Sequence, residues 1–273
     1  MFSKSRKKVM RKNFSLIELL IVIGIMGALT ALILPQFNNA ESQAKDNGCD
    51  YNNAGTLRYI SMFRSANGVY PTGFHTGLSA ADASTTVTEA QAGCDTNNDG
   101  DEADSAMAEA TNANFVNTNA TTIEALDANQ LASLQKAGIV TAAYGTGTAA
   151  ELSTSSMVAK IKTSATEEWD DDGGDLTIKG KALSSYADAN HDVIPLFVAS
   201  TIDWKTAYTG ESVTGSKKES PIEIQLAGKC PWLGDGGFRY YICFFKVDNT
   251  GAKAAELIGT ACPECGSQSP NSF

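Results

Sequence analysis

Phe14 to Leu34 is a run of 21 residues in which Glu18 is the only charged side chain. No other feature constrains the chain as strongly. As an α-helix at about 1.5 Å per residue, the run would cover roughly 32 Å, enough to cross a hydrocarbon core. A charge at the centre of such a span costs about 2.5–3.5 kcal/mol, and less one turn from its end, so an acid kept there points to function. Lys4, Arg6, Lys7, Lys8, Arg11 and Lys12 precede the run with no acid among them. That bias keeps the N-terminus in the cytoplasm and sends the residues after 35 outward. A signal peptide would have a shorter apolar core and a small-x-small cleavage site, which Leu34-Pro35-Gln36-Phe37 matches poorly. A plain anchor would have no use for Glu18.

Phe14-Ser15-Leu16-Ile17-Glu18-Leu19 resembles the processing and methylation motif of type IV pilins and type II secretion pseudopilins, and the likeness extends over residues 6 to 37. The resemblance implies that a prepilin peptidase cuts between Asn13 and Phe14, and that Phe14 becomes an N-methylated N-terminus. Asn13 stands where the family usually has Gly. Glu18 lies four residues after Phe14, on the same helix face. In family filaments the corresponding carboxylate meets the N-terminal amine of a neighbouring subunit. Such a pair would favour assembly and set axial register. Gly27 and Pro35 are the other assembly residues. In similar pilins the helix between such positions loses helicity in the filament. Gly24 and Gly27 can equally serve close helix packing, with Pro35 marking the end of the span.

A second segment, Asn67-Gly68-Val69-Tyr70-Pro71-Thr72, resembles the stretch after the long helix in type II secretion major pseudopilins. The resemblance implies an α+β, pilin-like fold: a long N-terminal membrane-spanning α-helix packed on a C-terminal antiparallel β-sheet. Its parts would be a leader over 1–13, an assembly helix over 14–34, an outer helical half over 35–66 and a globular domain over 67–273. The implied function is structural and non-enzymatic, a subunit polymerised through its N-terminal helix into a pilus (fimbrium) or a secretion pseudopilus. The implied partners are copies of itself, other pilins or pseudopilins, the prepilin peptidase, the inner-membrane assembly platform and membrane lipid. The implied location is the cytoplasmic (inner) membrane, single-pass with the C-terminus outside, and then the fibre, periplasmic or at the cell surface.

The formal net charge is −10, and loss of the six leader cations would leave −16. Such acidity argues against nucleic-acid binding and leaves cations as plausible ligands. Six cysteines, Cys49, Cys94, Cys230, Cys243, Cys262 and Cys265, all follow the apolar run. In an oxidising compartment they are disulfide candidates whose connectivity is not readable. Cys262-Pro-Glu-Cys265 can also be read as half of a zinc site or a redox pair, but no second CxxC accompanies it.

Residues 79 to 170 are rich in Ala, Thr, Asn, Ser and Asp and read as an insertion with long loops. Within it, Thr121 and Glu124 form a capping-box pattern. Ile123, Leu126, Leu131 and Leu134 share a helical face, and Gly138 is a stop. Val193–Val198, the alternating Ile222, Ile224 and Leu226, and Phe238–Val247 read as strands.

Asp95-Thr96-Asn97-Asn98-Asp99-Gly100 matches the first half of a calcium loop, with Asp101, Glu102 or Asp104 available to complete it. The twelfth position is Ala106 instead of a bidentate Glu. Asp188-Ala189-Asn190-His191-Asp192 repeats the alternation without the Gly, and Glu167, Glu168, Asp170, Asp171, Asp172 and Asp175 form a third acidic cluster. Solvated acidic loops are the plain alternative. His75 and His191 are the only histidines, and no phosphate loop or dinucleotide fingerprint occurs. The reading from a different class is a membrane-anchored extracytoplasmic calcium- or ligand-binding module that does not polymerise.

Overall fold

The structure, a computed structural model, describes residues 15–78, 121–144, 148–161, 177–178, 181–210, 212–224, 241–262 and 268–269. It divides into two units, Met1–Ala44 and Lys45–Phe273. One helix, α1 (Leu16–Asn67), runs through both.

From Lys45 onward α1 is amphipathic. Cys49, Asn53, Thr56, Ile60, Phe63 and Asn67 are buried, spaced by three and four residues as one helical face requires. The helix stops where a side chain would be strained: Gly68 takes φ +82, and its N–H closes on the Arg64 carbonyl at 2.7 Å.

The segment after it is a fastening. The Tyr70 N–H donates to the Ala137 carbonyl at 2.7 Å. The Thr72 hydroxyl accepts the N–H groups of Val140 (3.0 Å) and Thr141 (2.7 Å). β1 (Phe74–His75) follows at once. Its partners are β3 (Thr141–Ala143) on one side and β8 (His191–Phe197) on the other. Beyond β8 lie β11 (Ile242–Asp248), β12 (Glu256–Ala261) and β13 (Gln268–Ser269). β4 (Ala150–Glu151) closes the other edge, so the sheet order is β13-β12-β11-β8-β1-β3-β4.

β8 and β11 are buried on both faces, which explains their nearly unbroken apolar sequences. Ile194, Leu196, Phe245 and Val247 face one cluster, shared with Ile60 of α1, Tyr70 and Leu134. Val193, Phe197, Ile242 and Phe244 face the other, with Ile161, Leu183 and Ile178 of β6 (Thr177–Ile178), a strand paired with β7 (Lys181–Ala182). The two-residue period of a strand separates the sets.

The stretch 121–138 differs from its reading as one helix. Thr121–Ala125 is a strand, β2, paired antiparallel with β5 (Met157–Ile161). Its β-branched start suits a pleated surface better than a helical turn. The helix α2 covers Ala128–Lys136, and the capping box belongs to Asp127 and Gln130. Asp127 Oδ1 accepts the N–H of Gln130 at 2.8 Å, and the Gln130 amide oxygen accepts the Asp127 N–H at 3.1 Å. Gly138 follows α2 with φ +91. Ile222 and Ile224 lie outside regular structure, contrary to the strand read there, and Leu226 is outside the described residues.

Two parts of the expected fold need correction. The sheet is mixed, not antiparallel, because β1 and β3 run parallel, Phe74 opposite Ala142. A parallel pair cannot be joined by a tight hairpin, so β1 and β3 are not a meander. Secondly, no helix among the described residues is long and apolar enough to cross a membrane. Over the described residues this overturns the membrane-spanning helix, and with it the single-pass placement in the inner membrane.

Candidate assembly surface

The N-terminal part of α1 is exposed at every described position from Ser15 to Thr30. Leu16 is 80% exposed, and even the most covered large side chain, Val22, is 50% exposed. The apolar residues are not confined to one stripe. Leu16, Ile17, Ile21, Ile25, Val22 and Leu19 point in turn to every side of the helix. A helix that is apolar all round belongs inside something. The polar groups along it are spent internally: the Thr30 hydroxyl donates back to the Met26 carbonyl at 2.8 Å. A Cβ placed on Gly24 or Gly27 would meet nothing within 4 Å, so both leave the backbone open to close approach. The helical backbone continues through Pro35, whose side chain is not described.

Glu18 stands in the first turn. Its Oε2 accepts the backbone N–H of Ser15 at 2.9 Å, while the Ser15 carbonyl takes the Leu19 N–H at 3.1 Å. The carboxylate thus satisfies one of the orphan donors at the helix start, where the helix dipole also favours negative charge. Ser15-Leu16-Ile17-Glu18 is a capping-box pattern in its own right. That pattern marks the helix start in the sequence itself.

Asn13 and Phe14, the processing residues, lie outside the described residues. So do Asp95, Asn97, Asp99, Asp101 and Asp104 of the calcium loop, the acidic cluster from Glu167 to Asp175, and Cys94, Cys230 and Cys265. Cys49, Cys243 and Cys262 are buried. Cys243, on β11, carries a free thiol whose pKa is pushed up by burial.

The Asp188–Asp192 segment is described, and its oxygens are engaged locally. Asp188 Oδ1 accepts the Asn190 N–H at 2.7 Å and lies 3.0 Å from His191 Nδ1. Those two contacts hold the Asp188 carboxyl below its usual range. Asp192 Oδ2 accepts from the Gln130 amide of α2. Among the described residues, no group of three or more His, Cys, Asp or Glu is placed to hold a metal ion.

The sequence reading also missed a cleft beside Trp204, bordered by β9 (Thr206–Tyr208), β10 (Lys217–Glu219) and Ile222. Nothing in the pattern around Trp204 announces it. No protein-family model matches the chain, and neither a curated protein nor a solved structure does.

Proposed function

We propose that the chain is a non-catalytic structural subunit that polymerises by packing the Leu16–Leu29 length of α1 against the same length of its copies. The observation that carries the reading is the all-round exposure of that apolar length, which holds a single acid in its first turn. Burying one Leu or Ile side chain is worth about 1.5–3 kcal/mol, so a bundle of such helices has ample cohesion. Removal of residues 1–13 by a prepilin peptidase would free a positive amine at Phe14, close to Glu18. In the fibre that amine and a neighbour's Glu18 form the pair that fixes register. The motif at Phe14–Leu19 supports a pilus or a secretion pseudopilus as the product. The Tyr70-Pro71-Thr72 segment favours the pseudopilus.

The test combines electron microscopy of sedimented polymer with mass spectrometry of its N-terminus. Polymer built of chains that begin at methylated Phe14, and lost in Glu18→Ala, is the expected result. Polymer that retains residues 1–13, or a Glu18→Ala yield equal to wild type, overturns the reading.

A further inference from the structure

We propose that a cleft between the C-terminal turns of α1 and the start of β12 binds a small monocarboxylate with an apolar tail, a role separate from assembly and independent of that reading. The cleft has a volume of about 420 Å³, within the range of ligand pockets. Leu57, Ser61, Arg64, Ser65 and Gly68 line it from one side of α1, where a spacing of three or four residues places them. Tyr70 and Leu257 complete it. A Cβ on Gly68 would meet nothing within 4 Å, so that end of the cleft is open.

Tyr70 holds the Arg64 guanidinium in two ways. Arg64 Nη1 donates to the Tyr70 hydroxyl, and the guanidinium carbon lies 4.5 Å from the Tyr70 ring centroid. Among the described residues Arg64 meets no carboxylate at ion-pair distance, and its Nε and Nη2 have no acceptor. That is an edge of the guanidinium able to take a carboxylate with two parallel bonds. The Tyr70 oxygen accepts from Arg64 and from the Leu257 N–H at 3.0 Å, so both of its lone pairs are used. Its own proton has no acceptor among the described residues, although Tyr70 is only 3% exposed. Burial raises the pKa of the hydroxyl, so the proton stays on it. The exposed Ser61 and Ser65 hydroxyls can turn their protons into the same space.

A buried donor without an acceptor is rare in native proteins and calls for an explanation. A guanidinium edge, a phenol proton and two hydroxyls together are the complement of an oxyanion. Local charge then selects among oxyanions. Glu256 adjoins Leu257 and its field reaches the Tyr70 hydroxyl, and the carbonyl end of α1 is itself negative. One guanidinium set against both suits a single negative charge better than a phosphate dianion. Leu57 and Leu257 give an apolar tail its wall.

The experiment uses the full chain in a neutral detergent, isotope-labelled on nitrogen, with isovalerate as probe at neutral pH and constant ionic strength. One of the five arginine Nε–H resonances, identified by its absence in Arg64→Lys, should move downfield and saturate. The Gly68 amide, at the cleft, reports binding by the variants. Arg64→Lys, which keeps the charge and loses the forked edge, should bind about tenfold more weakly. Ser61→Ala combined with Ser65→Ala, two exposed changes, should weaken binding about fivefold for the lost hydroxyl donors. Isoamyl alcohol, the same tail without the charge, should leave the Arg64 resonance in place, and inorganic phosphate should bind about tenfold more weakly than isovalerate. The proposal is overturned by an Arg64 resonance unmoved up to about 10 mM isovalerate, the weak end of measurable affinity. An equal response to the alcohol or to phosphate, or wild-type affinity in Arg64→Lys, overturns it as well.

Discussion

Glu18 Oε2 accepts the backbone N–H of Ser15 at 2.9 Å. The acid that interrupts the apolar run therefore has a partner within its own helix. In the isolated subunit it caps α1, and in the proposed fibre it would exchange that bond for a neighbour's amine. Glu18→Gln separates the two roles, since a glutamine at this position can still reach back to the Ser15 N–H without carrying charge. Amide exchange at Ser15 should accelerate about fivefold in Glu18→Ala, the worth of one hydrogen bond, and stay near wild type in Glu18→Gln. Polymer yield should fall in both. Full polymer from Glu18→Gln would mean that capping alone matters.

Tyr70 joins α1 to the sheet. Its hydroxyl accepts from the Arg64 guanidinium and from the Leu257 N–H at 3.0 Å, and its ring packs edge-on to Phe245. Tyr70→Phe keeps the ring and strands the Leu257 donor. Urea unfolding should show a loss of about 1–3 kcal/mol.

Acid should unfold the domain partly through Asp248. The N–H and hydroxyl of Thr250 and the N–H of Lys253 hold this carboxylate and lower its pKa to about 2. A folded pKa below the unfolded one gives stability that is complete above about pH 4 and lost as the pH falls towards 2. Asp248→Asn should therefore be less stable than wild type at neutral pH, and the gap should close between pH 4 and 2. A gap of constant size across that range, followed by urea midpoints, would refute the assignment.

At the alkaline end the relevant group is Tyr144. Burial raises its pKa to about 12, and its hydroxyl donates to the Met157 carbonyl at 3.0 Å. A raised folded pKa gives stability present below about pH 10 and lost as the pH climbs through 12. Tyr144→Phe should flatten the fall in melting temperature over that interval.

Two glycines should differ sharply on conversion to alanine. Gly68 has φ +82 with open space around it, so Gly68→Ala should cost only the left-handed strain, about 1–2 kcal/mol. Gly73 has φ +85, and a Cβ there would stand 2.3 Å from the Thr201 carbonyl oxygen. Backbone must move to admit it, so Gly73→Ala should cost about 3–5 kcal/mol. Chemical denaturation of the two variants side by side checks the ranking.

Local chemistry made some of this molecule readable from its residues. Asn67-Gly68 marks the end of α1 because only glycine takes the required φ cheaply. The nearly unbroken apolar runs that became β8 and β11 announce strands buried on both faces. Other elements depended on partners distant in sequence. Thr121–Ala125 carries a helical spacing and a capping pattern, yet pairing with Met157–Ile161 makes it a strand. The parallel register of Phe74 with Ala142 brings together residues far apart in the chain, which no local pattern encodes. The contacts of Asn67 with Ser220 and of Phe63 with Trp204 arise the same way, from the end of a helix and loops that meet it only in the folded domain. Sequence alone determined the helix stop, the apolar run and its lone acid, since each follows from the conformational or solvation cost of single residues. Tertiary structure decided the mixed sheet and the cleft, because both come from pairing energies between segments that the chain brings together only on folding.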